Sequence, residues 1–162
     1  MRIVIQRVKY ARCKVDNKIV GEIDNGYLLF IGFKKGDTTE IFPKVIKKVV
    51  GLRAFEDENG KMNKSISDVK GSFLAISQFT LYGSIVHGNR PSFTDALEYD
   101  KANEYYELFI DELRKSGINV ETGSFGSDMK IELLNDGPVT ILLDSEELVW
   151  NLIFLMELNI MI

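Results

Sequence analysis

The sequence predicts an α+β fold, with a mostly antiparallel, barrel-like sheet and two main helices in a single domain. Strand patterns fill the segment 2–33, and helical patterns alternate with further strands after it. The 162 residues contain no internal repeat and no linker long enough to separate domains. A chain of this length is able to bury one sizeable core.

Three strands are predicted near the N-terminus. Residues 2–15 alternate between apolar and polar, and residues 16–18 (Asp-Asn-Lys) are typical of a hairpin turn. Residues 19–23 are predicted to form the second strand of this hairpin. A second turn at Asn25-Gly26 precedes the apolar run YLLFIGF. Such a run is typical of a strand that is buried on both faces.

Two helices are predicted from apolar residues at helical spacing. The first covers residues 41–50, with Pro43 in its first turn and residues 37–39 (Asp-Thr-Thr) as its cap. The second covers residues 99–116 and stops at Gly117.

Further strands are predicted over residues 73–79, 129–134 and 139–143, and a loop over residues 82–91. The last two strands flank the stretch Asn-Asp-Gly-Pro at 135–138. Proline cannot donate to a sheet ladder, so this stretch is predicted to be the turn of a hairpin. The residues alone leave open whether its backbone also serves a binding site.

The charge balance gives little support to a general nucleic-acid binder. The formal net charge is −4 and the pI is near 5.1, whereas such proteins usually have a basic balance. Basic residues are nevertheless crowded in the first strands: Arg2, Arg7, Lys9, Arg12, Lys14 and Lys18. They indicate either a solvated face or a local basic patch.

Cysteine and histidine counts exclude several kinds of site. A single cysteine, Cys13, excludes an internal disulfide and is predicted to be a packed thiol. One cysteine and one histidine are too few for the usual zinc sites, and we expect neither a metal nor a cofactor. The basic N-terminus has no unbroken apolar core, so we expect a cytoplasmic protein.

Residues 145–162 form an apolar extension whose role the sequence does not reveal. Residues 144–147 (Asp-Ser-Glu-Glu) are able to cap a helix. The apolar run that follows is interrupted by Asn151, Glu157 and Asn159 and is shorter than the roughly 20 residues of a membrane span. A buried or subunit-facing helix is the expectation.

The stretch SQFTL at 77–81 ends an apolar strand and offers hydroxyls and backbone N–H groups to a cleft. Ser77 or Thr80 could act as a nucleophile, or the N–H groups could stabilise an oxyanion. A catalytic triad would need His87, the only histidine, but the Gly-X-Ser-X-Gly signature is absent. The pattern therefore disfavours a serine hydrolase.

Two stretches become specific when they are taken together. SQFTL at 77–81 and NDGPVT at 135–140 resemble the two signature motifs of D-aminoacyl-tRNA deacylases, first described as D-tyrosyl-tRNA deacylases. MRIVIQRV, GKMN, RPSF and TGSFGSDM also look like stretches of this family and occur in the family's order. The resemblance covers residues 1–144, which we treat as one deacylase domain.

The resemblance implies a homodimer with its active sites at the subunit interface. Members of the deacylase family hydrolyse the ester between a D-amino acid and the 3′-terminal adenosine of tRNA. It implies that Gly137-Pro138 forms a cis peptide that enters the partner's site, accepts hydrogen bonds from the α-amino group and excludes an L side chain. Many D-amino acids, and also glycine, would then be substrates.

The resemblance also assigns roles to individual residues. Arg7 would brace the Gly-Pro segment, in which Asn135 also lies, and the N–H groups of Phe79 and Thr80 would bind the ester carbonyl. Ser77 and Gln78 would shape that pocket, and Phe125 and Met129 would contact the terminal adenine. Thr80 matches a residue once proposed as nucleophile, but we favour assistance by the 2′-hydroxyl of the tRNA.

Two other functions are compatible with the same residues. One is a nonspecific small esterase that uses SQFTL with a water nucleophile. The other is a non-catalytic RNA-binding dimer in which both motifs are only structural. The loop 84–90 is less basic than expected of this family, so the sequence assigns no tRNA contact to it.

Overall fold

A computed structural model describes residues 1–149 of the chain. The two helices are α1 (Phe42–Val50) and α2 (Tyr99–Arg114), and short 3₁₀ turns cover Thr39–Ile41 and Phe79–Tyr82. The strands are β1 (Arg2–Val15), β2 (Lys18–Ile23), β3 (Gly26–Gly32), β4 (Phe55–Glu56), β5 (Met62–Lys64), β6 (Ser72–Ser77), β7 (Val120–Thr122) and β8 (Lys130–Asp144).

Six strands form one mixed sheet, so the prediction of a mostly antiparallel sheet was wrong. The order is β2-β1-β3-β6-β7, with β8 also paired to β1, while β4 and β5 form a separate hairpin. Strand β1 pairs antiparallel with β2, β3 and β8, but β3–β6 and β6–β7 are parallel. The parallel pairs arise because α1 and α2 carry the chain back across the sheet between successive strands.

The sheet curls into a nearly closed barrel, as predicted. Its two ends meet where Gly21 of β2 lies against the backbone oxygen of Thr122 in β7. A Cβ atom at position 21 would collide with that oxygen. Glycine is therefore required for the close approach of the two strands.

The N-terminal hairpin and the buried third strand are confirmed. Asp16 and Asn17 adopt left-handed φ values of 49° and 63°, which suit a two-residue turn between β1 and β2. Strand β3 is buried on nearly every residue because β1 and β6 flank it and both of its faces are covered.

Both predicted helices are present, with one difference at the start of the first. Helix α1 begins at Phe42 with Pro43 in its first turn, but the side chain of Thr38 makes no capping hydrogen bond. A 3₁₀ turn precedes the helix, and the Asp37 carboxylate accepts a hydrogen bond from the Lys34 N–H at 2.8 Å. The prediction that residues 37–39 cap the helix was therefore wrong.

Two hydrophobic clusters lie on opposite sides of β3 and β6. The larger lies beneath both helices, where the rings of Phe42 and Phe109 meet edge to face at 5.3 Å. The smaller contains Cys13, which is fully buried as predicted, and burial raises the pKa of its thiol. With both faces covered, β3 and β6 provide a firm base for the loops at their ends.

Strand β8 is one continuous strand, so the prediction of a hairpin at residues 135–138 was wrong. Both halves pair antiparallel with β1, from Lys14↔Lys130 to Arg2↔Asp144. Between Val8↔Asn135 and Gln6↔Thr140, β8 advances five residues while β1 advances two. The additional residues form a bulge that contains Gly137 and Pro138.

The start of the C-terminal extension is helical over residues 145–149. The Glu146 N–H donates to the Asp144 carboxylate at 3.0 Å, and the Ser145 N–H donates to the Met1 carbonyl at 2.9 Å. The predicted apolar helix beyond this point lies outside the described residues. Within residues 1–149, no helix is long and apolar enough to cross a membrane.

Candidate active site

A cleft of about 470 Å³ opens where β3 and β6 end. The paired residues Ile31 and Ser77 form part of its floor, and the first turn of α2 and the segment 125–131 form its walls. Five of the residues proposed from the sequence line this cleft: Ser77, Gln78, Phe79, Phe125 and Met129.

The motif SQFTL presents two backbone donors at the cleft. Strand β6 ends at Ser77, the Gln78 N–H donates to the Ile31 carbonyl at 2.7 Å, and a 3₁₀ turn starts at Phe79. The first N–H groups of a helical turn have no partner within it. Among residues 1–149, nothing accepts a hydrogen bond from the N–H of Phe79 or Thr80. These two donors are free to bind an oxygen atom.

The hydroxyl of Thr80 has an amide as its neighbour. It accepts a hydrogen bond from the side-chain N–H of Gln78, and Thr80 is exposed. His87 lies in the exposed loop, and in the described part of the chain it makes no hydrogen bond to Ser77 or Thr80. Within residues 1–149, no titratable side chain that could act as a general base hydrogen-bonds to the Thr80 hydroxyl.

Aromatic side chains form one wall of the same cleft. The ring of Phe125 packs against Tyr99 at 5.2 Å and Tyr106 at 5.7 Å. The Tyr106 hydroxyl donates to the Ala75 carbonyl at 2.8 Å, and burial raises the pKa of this phenol. Phe125 is therefore held by α2 with part of its ring exposed to the cleft.

Tyr99 is a cleft residue that the sequence did not reveal. It is the first residue of α2, it is exposed, and it lines the cleft beside Gly126. Gly126 has φ +74°, and a Cβ there would collide with the Tyr99 hydroxyl. The one signal in the sequence was the position of a large aromatic residue at the start of a helix. Few core residues are available to cover a side chain at such a position.

A second group of the proposed residues surrounds the bulge in β8. Arg7 is only 4% exposed, and its Nε–H donates to the Asp136 carbonyl at 2.9 Å. One of its terminal N–H groups donates to the Ala54 carbonyl at 2.7 Å. The carboxylates of Glu56 and Asp136 both lie 3.5 Å from the guanidinium. Arg7 thus links the bulge to the segment that precedes β4.

The Asn135 side chain makes hydrogen bonds across the bulge. Its side-chain oxygen accepts a hydrogen bond from the Val139 N–H at 2.8 Å, and its amide donates to the Thr140 hydroxyl at 3.1 Å. Gly137 has φ +138°, and its bond to Pro138 is cis. Both residues are exposed, and the described residues that line the cleft do not include them.

The remaining basic residues of β1 are largely engaged by carboxylates. Arg2 pairs with Asp144 at 2.7 Å, Lys9 with Asp136 at 3.0 Å and Lys14 with Glu132 at 3.0 Å. They form a solvated, paired face and not a patch of free positive charge. Residues 1–149 contain no group of three His, Cys, Asp or Glu side chains that could hold a metal ion.

Comparison with known proteins finds one family over most of this chain. Residues 4–144 match the family model described as D-Tyr-tRNA(Tyr) deacylase. A D-aminoacyl-tRNA deacylase of Fusobacterium nucleatum is 53% identical over 147 residues, which are 91% of this chain and 97% of that protein. The corresponding protein of Aquifex aeolicus is 50% identical over 91% of this chain and 100% of its own length.

Two solved structures share the fold. The c-Myc DNA unwinding element binding protein is 36% identical with a TM-score of 0.83, over 89% of this chain and 98% of that chain. A probable eukaryotic D-amino acid tRNA deacylase has a TM-score of 0.76 at 18% identity. The match covers 88% of this chain and 98% of that chain. The latter likeness shows the fold alone.

The role of Arg7 in holding the bulge is testable by a conservative change. Arg7→Lys keeps the charge but cannot reach both the Asp136 and Ala54 carbonyls, so we expect the free energy of unfolding to fall by about 2–3 kcal/mol. Arg12 lies on the same strand as Arg7 but forms an exposed ion pair with Glu22 of β2, so Arg12→Lys should change the free energy of unfolding by less than about 0.5 kcal/mol. Urea denaturation measures both, and equal effects would contradict the bracing role.

Proposed function

Because this chain belongs to the D-Tyr-tRNA(Tyr) deacylase family, we propose that it hydrolyses the ester between a D-amino acid and the 3′-terminal adenosine of tRNA. Its family membership makes it an enzyme, a hydrolase. The observation that carries the proposal is the pair of N–H groups at Phe79 and Thr80, which have no acceptor among residues 1–149 and lie at the edge of a cleft with an aromatic wall. We further propose that it works in the cytoplasm in translation quality control.

The cleft suits an ester attached to an adenosine. The two N–H groups would donate to the ester carbonyl oxygen and stabilise the negative charge that develops on it when water attacks. Ser77 and Gln78 shape the floor beside them. The exposed part of the Phe125 ring, with Met129 next to it, offers a stacking surface for an unpaired adenine.

Selection between D and L substrates would come from Gly137 and Pro138. Their carbonyl oxygens would accept hydrogen bonds from the α-amino group, and their backbone would leave no room for an L side chain. This selects by exclusion and ignores the identity of the side chain. Many D-amino acids, and glycine, would therefore be accepted.

The Gly-Pro bulge would act in the site of a second subunit. Gly137 and Pro138 are exposed, braced by Arg7, and separate from the residues that line the cleft of their own protomer. A homodimer with its active sites at the interface would bring the bulge of one subunit to the cleft of the other. A two-fold axis makes both sites equivalent.

Thr80 would position the substrate, and the 2′-hydroxyl of the terminal adenosine would assist the attack. Two features support this division of roles: the Gln78 amide is the partner of the Thr80 hydroxyl, and no titratable side chain of the described chain hydrogen-bonds to it. An amide cannot take up the proton that a nucleophilic hydroxyl must lose.

Stereospecific hydrolysis is the first test. We expect D-Tyr-tRNA to be deacylated on the order of 100-fold or more faster than L-Tyr-tRNA, because an L side chain is excluded and not merely bound less well. Release of labelled tyrosine from matched tRNA preparations measures both rates, with spontaneous hydrolysis as the control. Equal rates would indicate a nonspecific esterase. If neither substrate is hydrolysed, the result would indicate a non-catalytic RNA-binding dimer.

The cross-subunit arrangement is tested by complementation between two inactive variants. Phe79→Pro removes one N–H donor at a position where proline suits the start of the turn. Gly137→Ala is strained at φ +138° and would crowd Val139. We expect each variant alone to be inactive, whereas isolated mixed dimers should regain about half of wild-type activity, since each carries one intact site of two.

The two variants are co-expressed with different tags, and the mixed dimers are isolated by both tags. The rate of the mixed dimers is then measured on D-Tyr-tRNA. The control is each variant co-expressed with a tagged copy of itself. If the Gly-Pro bulge served its own protomer, no mixed dimer would contain an intact site, and the mixture would stay inactive.

The role of Thr80 is tested by side-chain removal. We expect Thr80→Ala to lower kcat by at most about 30-fold, whereas loss of a covalent nucleophile costs on the order of 10⁴-fold or more. Thr80→Ser, which keeps the hydroxyl, serves as the matched control. Single-turnover measurements by rapid quench should find no acyl-enzyme; an acyl group trapped on Thr80 would disprove the positioning role.

A further inference from the structure

Two phenylalanine side chains form an exposed pair at one edge of the cleft. Phe79 is 56% exposed and Phe93 is 38% exposed, and their rings meet edge to face with centroids 5.0 Å apart. Exposed aromatic residues that cluster in this way usually mark a binding surface. The proposed reaction needs Phe79 for its backbone N–H and gives Phe93 no role.

The pair lies between the cleft and a second groove. Phe79 lines the cleft, and Phe93 packs against Gly83, where an added Cβ would lie 2.8 Å from its ring. Gly83 lines a groove of about 590 Å³ on the other side, together with Arg2, Lys34, Lys35, Asp95 and Tyr82–Val86. A strand of nucleic acid that leaves the cleft over the two rings would enter this groove.

Only one cation of the groove is weakly paired. The groove lining includes three cationic side chains and the Asp95 carboxylate, and two of the cations are bound to further carboxylates. Arg2 is held by Asp144, and Lys34 pairs with Glu146. Lys35 reaches Glu98 only at 3.8 Å in an exposed pair, which contributes little and leaves this lysine able to bind a phosphate.

The loop that carries Phe93 is fixed to the core. The N–H groups of Ser84 and Ser92 each donate to the other's carbonyl at 2.8 Å, and the Leu97 N–H donates to the Phe33 carbonyl at 3.0 Å. Phe93 is thus presented on a supported backbone. A ring held in this way loses little conformational freedom when a base stacks on it.

We propose that the Phe79–Phe93 pair stacks the nucleotide that precedes the terminal adenosine, and that Lys35 contacts a phosphate before it. This rests on the proposed deacylase function and extends it from the terminal adenosine to the single-stranded 3′ end of the tRNA. Unpaired bases stack on aromatic side chains without much regard to sequence, and nearby cations follow the backbone. The aromatic pair at the edge of the proposed adenosine cleft, with the weakly paired Lys35 in the groove beyond it, favours a nucleic-acid strand over a second protein copy at this surface.

The test compares two substrates that differ only in the preceding nucleotides. One is the D-tyrosyl ester of adenosine, and the other is the same ester on the trinucleotide CCA. The wild-type protein should have a higher kcat/KM on the trinucleotide. Phe93→Ala should lower kcat/KM by roughly tenfold on the trinucleotide and leave it unchanged on adenosine, because one base loses its stacking partner.

Two matched variants separate stacking from general loop effects. Phe93→Tyr keeps the ring and should retain the preference for the trinucleotide. Asn89→Ala changes an exposed side chain of the same loop that lines neither the cleft nor the groove, and it should alter neither substrate. For the groove, Lys35→Gln should reduce the salt dependence of kcat/KM on D-Tyr-tRNA by about one unit of slope, whereas Lys48→Gln on α1 should not.

The results also distinguish the two proposals. If the wild-type protein hydrolyses both esters and Phe93→Ala slows them equally, only the stacking proposal is overturned. A shift of Phe93→Ala from dimer to monomer in sedimentation would overturn it as well, because the surface would then be an interface between copies. If the wild-type protein hydrolyses neither ester nor D-Tyr-tRNA, the deacylase function fails, and the stacking proposal fails with it.

Discussion

The buried guanidinium of Arg7 is the constraint on which the arrangement of the bulge depends. A buried charge without partners would cost several kcal/mol, so the chain must surround it with acceptors. Two backbone carbonyls meet this need, from Ala54 and Asp136, and they belong to segments far apart in the sequence. Strand β1, the segment before β4 and the bulge in β8 are thereby fixed to one another, and Gly137 and Pro138 are held at the surface.

The cleft depends on a different feature, the parallel pairing of β3 and β6. Because α1 returns the chain to the same end of the sheet, Ile31 and Ser77 end side by side and the chain leaves β6 in a 3₁₀ turn. The N–H groups of Phe79 and Thr80, without an acceptor among residues 1–149, follow from that exit, and α2 holds the Phe125 ring that lines the same cleft. The proposed function needs the cleft and the bulge together, yet each is built by separate contacts within one protomer.

The sequence predicted most elements, and its failures have physical reasons. The hairpin at residues 135–138 was wrong because Asn-Asp-Gly-Pro suits a turn and a bulge equally well, and only the register of both flanks with β1 distinguishes them. The mostly antiparallel sheet was wrong because strand patterns do not encode the direction of a partner. Tyr99 was missed because its role depends on Phe125 and Gly126, which lie beyond the end of α2.

The sequence by itself determined the helices, the first three strands, the packed thiol of Cys13 and the two motifs that indicate the family. These follow from local periodicity, turn chemistry and residue order, which are properties of neighbouring residues. Only the tertiary structure decided that β8 is continuous, that Arg7 is buried, and that the Phe79–Phe93 pair lies between two grooves. Those features depend on which distant segments pack together, and this is set by burial and by the need to satisfy buried polar groups across the whole domain.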